Sequence, residues 1–241
     1  MAIAFDGKAS GDAGSGTSTS LSWSHTVTDA TDGIAIVSVA IANRGTSVLS
    51  ALSFGPTSIL ANLLQSAESS AGWWIGQYYA LPPTAGTQTV SATLSLGRRC
   101  AGVSHSFTGV NQGDSAATFG NKVATSGNST AASATVVSAS GELVVDALNK
   151  RDTTEAPTAD AGQSNVQQDN STSATDNLNT HVGGSTEAGA ASVTMQWTWA
   201  TARGWAYCAQ ALKPTAAGGV FIPLVGRGPG MALAGPGGLA A

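Results

Sequence analysis

The sequence predicts an all-β protein: an antiparallel, two-sheet, jelly-roll-like sandwich with an extended, non-globular C-terminal arm. Three observations lead there. Apolar residues recur at every second position over several segments. Turn formers punctuate those segments at short intervals, and no long stretch carries a clear 3.6-residue period. After Leu212, a Gly/Pro/Ala-rich stretch replaces the alternating pattern.

The strands follow from the alternation. Leu21, Trp23, His25 and Val27 share one face of residues 20–27, opposite Ser and Thr. Val90, Ala92, Leu94 and Leu96 do the same over 88–96, and Val193, Met195, Trp197 and Trp199 over 193–199. Such segments have one buried and one wet face. Residues 34–42, 73–81, 101–108, 142–148 and 204–212 are more continuously apolar, as strands covered on both faces would be. Turn signals at Asp32-Gly33, Gly55-Pro56 and Pro82-Pro83 separate them. This gives ten to thirteen strands. Residues 59–66 fit a short helix or a strand equally. Residues 149–189 read as long polar loops around two short strands, near 162–168 and 178–183. No fixed-period internal repeat is evident, and residues 1–213 are expected to form the sandwich domain.

Composition narrows the function. Ala (42), Gly (30), Ser (29) and Thr (27) make up more than half of the 241 residues. Charged residues are 10%, against about 25% in ordinary domains. With net charge −4, the chain lacks the clustered cations of a nucleic-acid binder. Its 42% apolar content and six Trp exclude charge-rich disorder. The N-terminus has no basic region followed by an apolar run, so synthesis in the cytoplasm without a signal peptide is expected. No run is long enough to cross a membrane as a helix. Cys100 and Cys208 fit no metal spacing and are expected to be buried thiols.

Residues 214–241 hold four of the eight prolines, eight glycines and one charge, Arg227. Proline and glycine at this density do not build a sheet core. Yet Val220, Phe221, Ile222, Leu224, Val225, Met231 and Leu233 are apolar, unlike a solvated linker. Fully extended, 28 residues reach about 90 Å at ~3.3 Å each, whereas a ~210-residue domain has a radius of gyration of about 17 Å. An arm that docks on a partner is expected, because exposed apolar chain invites aggregation.

Titratable groups are few, and no nucleophile elbow, zinc helix or phosphate loop occurs. No catalytic centre, metal site or cofactor is expected. His25 and His105 read as sheet histidines, and His181 as a solvated loop residue. Glu142 and Asp146 share strand parity but lie about 13 Å apart by strand rise, too far for a carboxylate pair. Asp29 and Asp32 read as turn residues. Trp73, Trp74, Tyr78 and Tyr79 crowd one strand. They predict core packing plus a subunit interface, or alternatively a strip on which a glycan stacks.

Three segments carry a resemblance: AFD followed by SLSWSHTVT, the central CAGVSHSFTGVNQ, and the closing GWAYCAQALKP. Over about residues 2–214 the chain resembles a β-sandwich domain of structural proteins in tailed bacteriophages, of the head-decoration and fibre types. The resemblance implies a multimeric virion component without an active site. The expectation is a capsid decoration or cement protein, a homotrimer contacting the major capsid protein. The runner-up is a tail-fibre or baseplate component that contacts the host. A carbohydrate-binding module using the Trp73–Tyr79 strip is a third.

Overall fold

In a computed structural model, residues 2–151, 155–171 and 179–215 are described. The first half holds β1 (Ala4–Asp12), β2 (Ser18–Val27), β3 (Ile34–Ile41), β4 (Leu49–Phe54), β5 (Thr57–Ser58), β6 (Leu63–Glu68), β7 (Trp74–Ala80), β8 (Gly86–Arg98) and β9 (Cys100–Thr108). One helical turn follows, α1 (Ser115–Thr118). The second half holds β10 (Phe119–Val136), β11 (Leu143–Arg151), β12 (Thr158–Ala159), β13 (Ser164–Ser171), β14 (Thr180–Ala188) and β15 (Val193–Leu212). The segment predicted at 59–66 is strand β6 preceded by a turn, and the region 149–189 contains two full strands rather than two short ones. The turn α1 exists because Asp114 caps it, accepting from the Ala116 and Ala117 amides. The predicted arm, 214–241, lies outside the described residues beyond Thr215.

The strands form three antiparallel sheets. A front sheet runs β2-β8-β4-β5, a first central sheet β1-β9-β3-β7-β6, and a second central sheet β10-β15-β11-β14-β13, with β12 on β15. The front sheet covers one face of the first central sheet. Leu21, Trp23, Val90, Ala92 and Leu94 meet Ala35, Val37, Val39, Ile41, Trp74 and Tyr78 there. The opposite face of β3, with Ile34, Ile36 and Ala40, packs on Val145, Ala147, Val182 and Cys208 of the second central sheet. All eight residues of β3 are therefore buried, which is why its sequence is apolar at every position but Ser38 and that of β2 alternates.

The second central sheet closes a sandwich on itself. The ladder of β10 with β15 breaks between Ser129 and Ala131, and beyond the break both strands cross to the outer layer. Ala132, Ala134, Met195 and Trp197 of the outer part then pack on Val144, Leu148, Trp205 and Tyr207 of the inner part.

The same sandwich is thus built twice. Each central sheet has equivalent strand order, first strand to last, and the edge ladders agree in detail. Phe5 pairs Phe107 and Lys8 pairs His105; after the linker, Phe119 pairs Leu212 and Lys122 pairs Gln210. Both first strands break register just after the Phe. The two central sheets stack in reversed order, with Lys8 of β1 bonding to Val166 of β13 and Gln65 of β6 to Ala209 of β15. That is the arrangement a two-fold axis between the halves produces. The sequence hides it, because Phe5 and Phe119 are 114 positions apart but Phe107 and Leu212 only 105, so there is no single period.

Candidate functional site

Each sandwich encloses one chain of polar side chains, placed by strand parity. In the first, β2 aims Trp23 and His25 at Ser104 and Ser106 of β9. Trp23 Nε1 donates to Ser104 Oγ at 2.9 Å. His25 Nδ1 lies 2.8 Å from Ser104 Oγ, and Nε2 2.9 Å from Ser106 Oγ. Ser106 Oγ donates to Asp6 at 2.7 Å. One proton assignment satisfies every member: indole to Ser104, Ser104 to Nδ1, Nε2 to Ser106, Ser106 to the carboxylate. His25 is then neutral, in keeping with burial pushing its pKa down to about 4 against the pull of Asp6. A serine, a histidine and an aspartate therefore meet, but in an order that does not serve catalysis. In a hydrolytic triad the histidine sits between the other two and takes the hydroxyl proton. Here Ser106 sits between, its proton already given to Asp6, and His25 is 1% exposed.

In the second sandwich the centre is Asp146 of β11. Its carboxylate accepts from the Ser185 amide (2.6 Å) and hydroxyl (2.9 Å), Trp197 Nε1 (2.7 Å), Gln163 Nε2 (3.1 Å) and the Tyr207 hydroxyl. Burial pushes its pKa up to about 6, with the Tyr207, Trp197 and Ser185 donors pulling the other way. Five donors on one acceptor tie β11, β14 and β15 together. Glycines make room for the indoles: a Cβ on Gly102 would lie 2.4 Å from the Trp23 ring, and one on Gly183 3.0 Å from the Trp197 ring. Sequence reasoning missed this centre because Asp146 was weighed only as half of a pair with Glu142. A lone carboxylate inside a strand that the sequence reads as covered on both faces is the available signal.

His105 is buried as expected, with Nε2 3.0 Å from the Asn165 carbonyl, and burial pushes its pKa down to about 4. His181 is not a solvated loop residue. It lies in β14, 3% exposed, with Nε2 2.9 Å from Gln168 Oε1, because the polar region it belongs to forms strands under the first central sheet. Asp29 caps its own turn through the Thr31 amide, and Asp32 adopts φ 45°. Cys100 and Cys208 are free and buried. Among the described residues, no three His, Cys, Asp or Glu side chains are grouped as metal ligands.

The aromatic strip does not face solvent. Trp74 and Tyr78 pack into the core under the front sheet, with the Arg44 guanidinium 5.5 Å from the Trp74 ring. Trp73 is 4% exposed and donates to the Asn179 carbonyl at 3.0 Å. Tyr79, half-buried, turns to the opposite face and meets Phe119 edge-on at 5.0 Å. Alternation splits the cluster between two interlayer cores, which buries Trp73, Trp74 and Tyr78 and leaves only Tyr79 of the four partly open, so they form no exposed strip. The other predicted site residues, Val220, Phe221, Ile222, Leu224, Val225, Met231 and Leu233, lie outside the described residues.

An open concavity lies elsewhere. A groove of about 630 Å³ is walled by α1, the start of β10, the turn after β10 and Lys213. Phe119 lies along it, and Val137, 63% exposed, stands on its rim. Beside it lie the last described residues, 213–215. The Lys213 amide donates to Thr118, the Asn111 amide to Lys213 and the Thr215 amide to Gly109, and Pro214 bridges Val110.

Compared with known proteins, the chain matches no family model, no curated protein and no solved structure.

Proposed function

We propose that the protein is a structural component of a tailed-phage virion, a capsid decoration or cement protein that stabilises the shell through subunit contacts and its C-terminal arm. The observation that carries this reading is the pinned backbone at 213–215, followed over 216–241 by eight glycines, three prolines and a single charge. An apolar tail held at a fixed point on a rigid body is suited to gripping a neighbour. The histidines and Asp146, where chemistry would be sought, are instead tied into hydrogen bonds that hold strands together. The partners are the major capsid protein and other copies of the chain, as a homotrimer on the shell.

The test is to add purified protein to emptied capsids. The expected result is saturable binding and a raised capsid melting temperature, because a ligand of the assembled state stabilises it by mass action. Loss of both on deletion of 218–241 is expected. Failure to bind capsids together with binding to host cells overturns the cement reading in favour of a tail fibre.

A further inference from the structure

We propose that the groove between α1 and the start of β10 is the receptor for the C-terminal segment Val220–Val225 of a second copy of this chain. This rests on reading 214–241 as an assembly arm, and adds where the arm docks and on what.

The groove suits an extended apolar peptide. Phe119 is buried against the body and Val137 is the most exposed of the large apolar side chains. The register of β10 breaks here: Phe119 pairs Leu212, but the next pair is Lys122 with Gln210, leaving two residues, Gly120 and Asn121, opposite Ala211. Gly120, on the edge strand of its sheet, lines the groove with no side chain to close it. An edge strand presents unpaired backbone donors and acceptors to an incoming strand, while the bulge bends β10 at the groove. Lys213 is drawn aside onto the Ala116 carbonyl at 2.8 Å, and Lys122 lies over the Phe119 ring at 5.6 Å. Both cations thus edge the groove, as does Glu142, whose carboxylate accepts from the Ala139 amide at 3.0 Å.

The occupant is chosen by chemistry and by reach. Residues 220–225, Val-Phe-Ile-Pro-Leu-Val, are the longest uncharged apolar run after Leu212. The cavity of about 630 Å³ accommodates several such side chains, though not the whole arm.

The direction of exit favours a second copy over the chain's own groove. Lys213 is on the groove wall, but Pro214 and Thr215 step away from it, onto Val110 and Gly109. Gly109 in turn lies against the backbone of Ala2, at the first half of the molecule. The last described residues thus head away from their own groove. The 26 residues beyond Thr215 span at most about 86 Å at ~3.3 Å each, enough to reach a neighbouring copy. Head-to-tail exchange around a closed ring of identical copies satisfies every arm and every groove at once.

The full-length chain with Val137→Cys and Phe221→Cys is oxidised and run on a non-reducing gel. The native Cys100 and Cys208 are buried, and each single-cysteine variant is the background control. The expected product is a covalent ladder at multiples of 23.8 kDa, absent from the controls. An intramolecular crosslink that leaves the monomer mass overturns the assignment to a second copy, and no crosslink beyond the controls overturns the groove as receptor. In parallel, Val137→Asp and deletion of 218–241 are compared by sedimentation. Both are expected to reduce the mass to one subunit with unchanged circular dichroism. Loss of assembly on deletion but not with Val137→Asp rejects the groove and keeps the arm. Loss with neither rejects both.

Discussion

Trp197 donates its indole proton to Asp146 at 2.7 Å, across the interior of the second sandwich from the outer half of β15 to β11. The same carboxylate holds Tyr207, on the inner half of β15. One side chain therefore clamps both halves of a bent strand. Replacing Asp146 by Ala leaves at least four buried donors without an acceptor, each costing about 1–3 kcal/mol when unsatisfied. The expected loss is at least 3 kcal/mol in urea unfolding, with Asp146→Asn losing less because it keeps one carbonyl acceptor. An Asp146→Ala protein as stable as the wild type would show that the clamp contributes nothing.

Stability should fall with acid. His25 and His105 have folded pKa values lowered to about 4 from 6.5. Their contribution is complete above about 6.5 and is lost as the pH falls towards 4. Asp146 is raised to about 6 from 3.8, so its contribution has the opposite sign: complete below about 4 and lost as the pH rises through 6. Near pH 5 the two histidines bind protons on unfolding and Asp146 releases one, for a net uptake of roughly one proton. Unfolding free energy is therefore expected to rise from pH 4.5 to 6, and more steeply in Asp146→Asn. A flat or inverted profile in the wild type would contradict the assignment of neutral histidines.

Gly102→Ala is expected to destabilise by about 1–3 kcal/mol, the usual cost of forcing an extra methyl into a packed core. Its Cβ would overlap the Trp23 ring at 2.4 Å, and β9 is held between two layers. Gly16→Ala, where nothing lies within 4 Å, is the control and should change the melting temperature little. Equal melting temperatures for the two variants would show that β9 shifts without cost.

Most of the strand content was legible because alternation is a local property. Residues 20–27 and 193–199 alternate since they lie in outer layers, and 34–41 does not since it lies between two. The duplication was not legible. It resides in strand order and in pairs such as Phe5–Phe107 and Phe119–Leu212, whose members are far apart in sequence. The polar strands β13 and β14 are legible only as two short strands among loops, because their side chains are mostly polar and are buried by hydrogen bonding to one another rather than by apolarity. Of the site, residue types were visible but not accessibility: Trp73 and Trp74 in a row cannot tell which layers will close over them.

The described chain ends in its longest strand. β15 carries ladders to β10 on one side and to β11 and β12 on the other. β1, at the opposite terminus, pairs with β9 alone. A pull on the chain beyond Thr215 along the strand axis is thus taken in shear, by rows of hydrogen bonds on both flanks that must break together. The same pull at the start of β1 can unzip an edge one bond at a time. The molecule is mechanically polar, and its firm end is the one that leads into the tail.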